Sequence, residues 1–178
     1  MSPQLEIRGA FSLVELLIVI AIVAVLSSLA LPAFNSIRNA GGLTKTANDI
    51  SGILEQARAY AMAQNTYVWV GFRTSQANGT DMLAVGVIAS KTGSSNPAQD
   101  VVQLGKISRF ENVQLVKLPD PGARPATNVD QLVGAADSSL SFSSGTNSFS
   151  SQVIRWDSRG EARISSSQIS RFIEIGLQ

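Results

Sequence analysis

Residues 9–34 read GAFSLVELLIVIAIVAVLSSLALPAF, an almost unbroken apolar run with one carboxylate, Glu15, near its start. From Leu16 to Phe34 no charge appears for nineteen residues. As helix that is about 29 Å at ~1.5 Å per residue, and a hydrocarbon core is about 30 Å thick. The run is long enough to span one. Pro32, near its far end, removes a backbone donor and is expected to kink the helix. After NAGG (39–42) the pattern changes. Leu43, Ala47, Ile50, Leu54, Ala57 and Ala61 recur at steps of three and four, the spacing of one helical face. Lys45, Asn48, Asp49, Glu55, Gln56 and Arg58 occupy the other faces. One helix is therefore predicted from about Ser12 to about Gln64, oily all round in its first half and on one side in its second.

From Thr66 the chain breaks into short β-like runs at 66–74, 82–90, 101–110, 113–118, 139–144, 152–157, 161–165 and 171–177. Val68/Val70/Phe72, Val113/Leu115 and Leu140/Phe142 alternate as half-buried strands do, and ANGTD, TGSSNP, PDPGARP, SSGTNS and DSRGE supply turns. The stretch from Pro119 to Asp137, rich in Pro, Gly and Ala, is expected to be a surface loop. A helix followed only by strands predicts an α+β domain, with an antiparallel sheet wrapped on the amphipathic half of the helix.

Composition narrows the chemistry. The 178 residues suit one domain plus an anchor, and the net charge of +1 gives no global pull toward nucleic acid or acidic lipid. The chain has no cysteine and no histidine, so disulfides, thiolate chemistry and histidine-based catalysis or zinc ligation are excluded. Charged residues are sparse at 15%, which leaves a polar, uncharged surface of a kind common on exported proteins.

Glu15 separates three readings of the N-terminus. A cleaved secretory signal would use SLA (28–30) and leave Leu31 first, but it would not place a glutamate where its oily core begins. A plain single-span anchor explains the length but not the carboxylate, which is a functional hypothesis by default in such a run. In the third reading a peptidase cuts before Phe11. Glu15 of one chain then meets the free N-terminal amine of a neighbour in a stack of identical helices, which neutralises both charges and sets the axial stagger.

The segment AFSLVELLIVIAIVAVLSSLALPAF resembles the class III signal of type IV prepilins and type II secretion pseudopilins. The resemblance implies a pilin fold: a long N-terminal helix, transmembrane in its first half, packed on an antiparallel head. It implies a leader at 1–10, a transmembrane and filament-core helix at 11–34, an amphipathic helix at 35–65 and a β-rich periplasmic head at 66–178. It further implies cleavage between Ala10 and Phe11 by a prepilin peptidase, and N-methylation of Phe11. Glu15 and Pro32 are carried over as assembly residues. The partners would be other pilin or pseudopilin subunits, the peptidase and the bacterial inner membrane. The chain would cross that membrane once, head periplasmic, before entering a filament at the cell surface. Ala10 stands where most members have Gly, so Gly9–Ala10 is the competing cut; it would put Glu15 one residue too far from the terminus. The leader is also less basic than usual. QARAYAMAQN (56–65), running into the first strand, and WDSRG (156–160) narrow the resemblance to GspH/FimT-like minor pseudopilins and minor pilins.

Other chemistry is weakly marked. Over 153–178 four arginines (Arg155, Arg159, Arg163, Arg171) face three acids, a mixed solvated surface on which Trp156 is more readily core than a base-stacking platform, so nucleic acid is not the expected partner. Asp120 and Asp130, ten residues apart in a loop, are thin grounds for a cation site, and no metal or cofactor is expected. A Ser–Lys pair with Lys106 or Lys117 has no motif to mark it, and the chain is not expected to be an enzyme. Trp69 and Phe72 are expected in the core. The function expected is that of a structural, minor filament subunit. A tip subunit binding DNA or a surface ligand, and an anchored periplasmic protein that never polymerises, are the alternatives.

Overall fold

The computed structural model describes residues 12–77, 79–119, 129–134, 137–165 and 172–178, with the backbone alone for 29–41, 77, 129 and 138. The chain divides into two units, 1–42 and 43–178. Helix α1 runs from Leu13 to Ala63, fifty-one residues, and contributes to both.

Among the described residues twelve strands follow: β1 Val68–Ala77, β2 Thr80–Ser90, β3 Val101–Gln103, β4 Ser108–Glu111, β5 Leu115–Val116, β6 Val129–Gln131, β7 Phe142–Ser144, β8 Asn147–Phe149, β9 Val153–Trp156, β10 Ala162–Arg163, β11 Phe172–Glu174 and β12 Gly176–Leu177. The main sheet is antiparallel in the order β10-β9-β1-β2-β3, with β4 also pairing β2. The run at 101–110 is thus two strands, divided at Gly105, whose φ of 75° turns the chain. Together they cover successive halves of one edge of β2.

Alternation sorts the strands into two cores. Val68, Val70 and Phe72 join Ile50, Ala57 and Ala61 of α1 in one buried cluster. Trp69 points the other way, with Ile88 opposite it, and is covered by Leu140, Phe142, Phe149 and Val153. The sheet therefore has α1 on one face and the β7–β8 hairpin on the other. Trp69 and Phe72 are both core, as expected, but on opposite faces.

Two expectations are corrected. The buried face of α1 does not begin at Leu43 and Ala47: Leu43 is 37% exposed, Ala47 is exposed, and Thr46 is buried instead. Counting one turn back from Ile50 reaches 46, and a step of four keeps that position over the sheet. The stretch 119–137 is also not wholly loop. β6 pairs in parallel with β11, and Leu132 behind it is fully buried. The C-terminus closes this side, with β12 antiparallel to β5 and reciprocal backbone bonds between Gln114 and Gln178.

Candidate functional site

The N-terminal turn of α1 is built by Ser12. Its hydroxyl accepts from Val14 N–H at 3.3 Å, and its carbonyl accepts from Leu16 N–H at 3.2 Å. Ser12 is thus the N-cap, and Glu15 stands at the third helical position. Ser12-x-x-Glu15 has the spacing of a capping box, a signal readable from the sequence that the membrane-run reading passes over. The carboxylate also lies where the helix dipole favours negative charge. On either side of it, eleven large apolar side chains from Leu13 to Leu26 are each at least half exposed. Ser28, at the end of this stretch, donates its hydroxyl to the Val25 carbonyl at 2.7 Å and so satisfies itself within the helix. The helix continues through Pro32; that side chain, Ala10 and Phe11 lie outside the described residues. Among the described residues no helix is long and apolar enough to cross a membrane.

The other end of α1 is closed by a Schellman motif. Thr66 N–H bonds the Ala61 carbonyl at 3.0 Å and Asn65 N–H bonds the Met62 carbonyl at 3.4 Å. Asn65 takes the left-handed conformation, φ 49°, that this cap requires. In QARAYAMAQN, then, Asn65 ends the helix, while Ala57 and Ala61 are the small buried residues that meet the sheet. Thr66 donates its hydroxyl to the Ser90 carbonyl at 2.8 Å and so fixes the entry into β1 against the end of β2.

WDSRG is the β9–β10 turn. Asp157 Oδ1 accepts from Arg159 N–H and Glu161 N–H, and the Asp157 carbonyl accepts from Gly160 N–H. Gly160 has φ 78° and presses on the helix: a Cβ there would lie 2.7 Å from Met62 Sδ and 3.0 Å from Arg58 Nε. Leu54 and Arg58 of α1, Trp156 and Gly160 of the hairpin, and Phe172 of β11 line a groove of about 500 Å³. The residues quoted for the narrower resemblance thus converge where helix, hairpin and sheet meet.

The C-terminal arginines do not form one strip. Arg155 lies in register with Trp69 and Arg163, whereas the next residue, Trp156, faces the helix side with Val68 and Ala162. The Arg155 guanidinium sits 5.5 Å from the centre of the Tyr67 ring, a cation–π contact, and Arg163 reaches Glu161 at 3.7 Å. Arg159 is exposed at the turn, and Arg171 lies outside the described residues. Asp130 is on β6, Asp120 lies outside the described residues, and Lys106 and Lys117 are exposed. Among the described residues no group of three or more acids gathers at one point.

One family model matches the chain: the prokaryotic N-terminal methylation motif, over residues 8–31. That span includes Ala10, Phe11 and Glu15 and stops one residue before Pro32. The motif marks pilin-type structural subunits, which are not enzymes. No curated protein and no solved structure matches the chain.

Proposed function

From the premise that this chain carries the N-terminal signal of the type IV prepilin and pseudopilin family, we propose that it is a minor structural subunit of a type IV pilus-like or type II secretion pseudopilus filament. Prepilin peptidase cuts between Ala10 and Phe11, and Phe11 is N-methylated. The apolar half of α1 anchors the chain in the inner membrane with its head in the periplasm, and then packs into the filament core.

The observation that carries this reading is the surface of α1 between Leu13 and Leu26, where eleven large apolar side chains stand at least half exposed and Glu15 is the one carboxylate of the stretch. Fully burying each would contribute about 1.5–3 kcal/mol, so such a helix is stable only under cover. Lipid covers it before assembly, and neighbouring helices replace lipid afterwards by close packing. The narrower GspH/FimT-like assignment is supported by the packing roles of Ala57, Ala61, Asn65 and Gly160.

Two reasons for a glutamate at 15 are to be separated: the capping-box spacing from Ser12, and neutralising the amine of a neighbouring Phe11. A capping box accepts Gln as well as Glu at this position. Glu15→Gln therefore keeps the cap and removes the charge, whereas Glu15→Leu removes both. The test is incorporation into sheared, sedimented filaments in the native host. Loss of incorporation in both variants, with normal cleavage, is the expected result. Normal incorporation of Glu15→Gln would overturn the charge-pairing role and leave the cap as the reason for the glutamate.

A further inference from the structure

We propose that Met62 is an oxidation site, and that its sulfoxide releases the β9–β10 hairpin from α1. The chain has three methionines, Met1, Met62 and Met82. Met62 stands in the last turn of α1 and is 44% exposed, whereas Met82 is half-buried near the start of β2. The Met62 thioether holds the helix to the hairpin: it sits so close to Gly160 that a Cβ there would come within 2.7 Å of the sulfur. Gly160 itself is buried.

A two-electron oxidant such as hydrogen peroxide has access to a side chain as open to solvent as that of Met62. The sulfur lone pair attacks one peroxide oxygen and the O–O bond breaks. That oxygen stays on sulfur, and the other leaves as water with both protons. Sulfur is oxidised by two electrons and the peroxide is reduced. The product is polar and a strong acceptor in place of an apolar atom. The N–H groups of Arg159, Gly160 and Glu161 in the turn it faces are already bonded to Asp157 and do not turn to it. The other group at this point, Arg58 Nε, belongs to an exposed side chain. The sulfoxide oxygen is satisfied by water or by that solvated guanidinium, and either draws the side chain off Gly160. The Schellman bonds of Asn65 and Thr66 are made by backbone atoms, so the helix end itself stays closed.

The test treats full-length protein in detergent micelles with dilute hydrogen peroxide. Peptide mass spectrometry follows each methionine, and amide hydrogen exchange follows residues 153–163. Met62 is expected to oxidise about ten-fold faster than Met82, and exchange in the hairpin to rise about ten-fold as it does. Reduction by a methionine sulfoxide reductase should restore the slow exchange in the same sample. Met62→Leu, which keeps an apolar side chain without sulfur, should not respond to peroxide, while Met82→Leu should respond like the parent. The proposal is overturned if Met82 oxidises as fast as Met62, if hairpin exchange is unchanged with Met62 fully oxidised, or if Met62→Leu still loosens in peroxide.

Discussion

Gly71 and Gly86 stand directly opposite each other on β1 and β2, and the Phe149 side chain fills the space that their missing side chains leave. Phe149 is fully buried and stacks on Phe142 with ring centres 5.0 Å apart. A Cβ on Gly86 would lie 2.8 Å from both Cε2 and Cζ of Phe149. Ordinary carbon contacts lie at about 3.5–4.0 Å, so the ring would have to retreat by roughly 0.7 Å or more. It cannot retreat freely, because Phe142 lies against it. Overpacking of this kind costs about 1–3 kcal/mol. Alanine also restricts the unfolded chain, which returns about 0.4–1 kcal/mol. Gly86→Ala should therefore destabilise the 43–178 unit by about 1–2 kcal/mol. Gly71→Ala should cost more, since its Cβ would meet Phe149 Cβ and Cγ at 2.6 and 2.7 Å, the root of the ring rather than its tip. Urea unfolding followed by the fluorescence of Trp69, which lies in the same cluster, measures both. Adding Phe149→Leu to Gly86→Ala opens room at the ring tip, and the cycle should show a favourable coupling of at least ~0.5 kcal/mol. A neutral or stabilising Gly86→Ala, or strict additivity in the cycle, would refute the reasoning.

Two further perturbations follow from the same unit. Asn65→Val forces a β-branched residue into φ 49° and should lower stability by about 1–2 kcal/mol, whereas Asn65→Gly should be neutral or better, both read from urea midpoints. Asp157→Ala removes the acceptor for two backbone N–H groups and should cost about 1–2 kcal/mol, with faster amide exchange at Arg159 and Glu161.

Much of this molecule could be read from its pattern. The steps of three and four from Ile50 to Ala61 placed the helix on the sheet, and Val68/Val70/Phe72 identified the strand face that receives it. What escaped had a physical reason. Trp69 is core, as its type predicts, but alternation sets it on the face opposite Phe72, and nothing in the serine-rich segment announces that Phe142 and Phe149 fold back to cover that face. β6 is three residues, Val-Asp-Gln, too short for any period, and its partner β11 lies far along the chain, so nothing local announces the pair. At the N-terminus the opposite happened. The apolar run and its glutamate are conspicuous, while the capping-box spacing from Ser12 to Glu15 is hidden by them, because a charge in an apolar run draws attention to itself and not to its spacing. The turn glycine Gly160 was visible as a turn signal, but its contact with Met62 depends on a helix almost a hundred residues earlier.

Where the mature chain begins decides most directly whether this protein is a filament subunit. The mass of the N-terminal peptide, taken from protein purified out of its own membranes, decides that. A chain starting at Phe11 and carrying one added methyl group is the predicted result. A start at Leu31 would make residues 1–30 an ordinary export signal and remove Glu15 from the mature protein, and an uncut Met1 would leave a plain anchor. Either would contradict the filament reading.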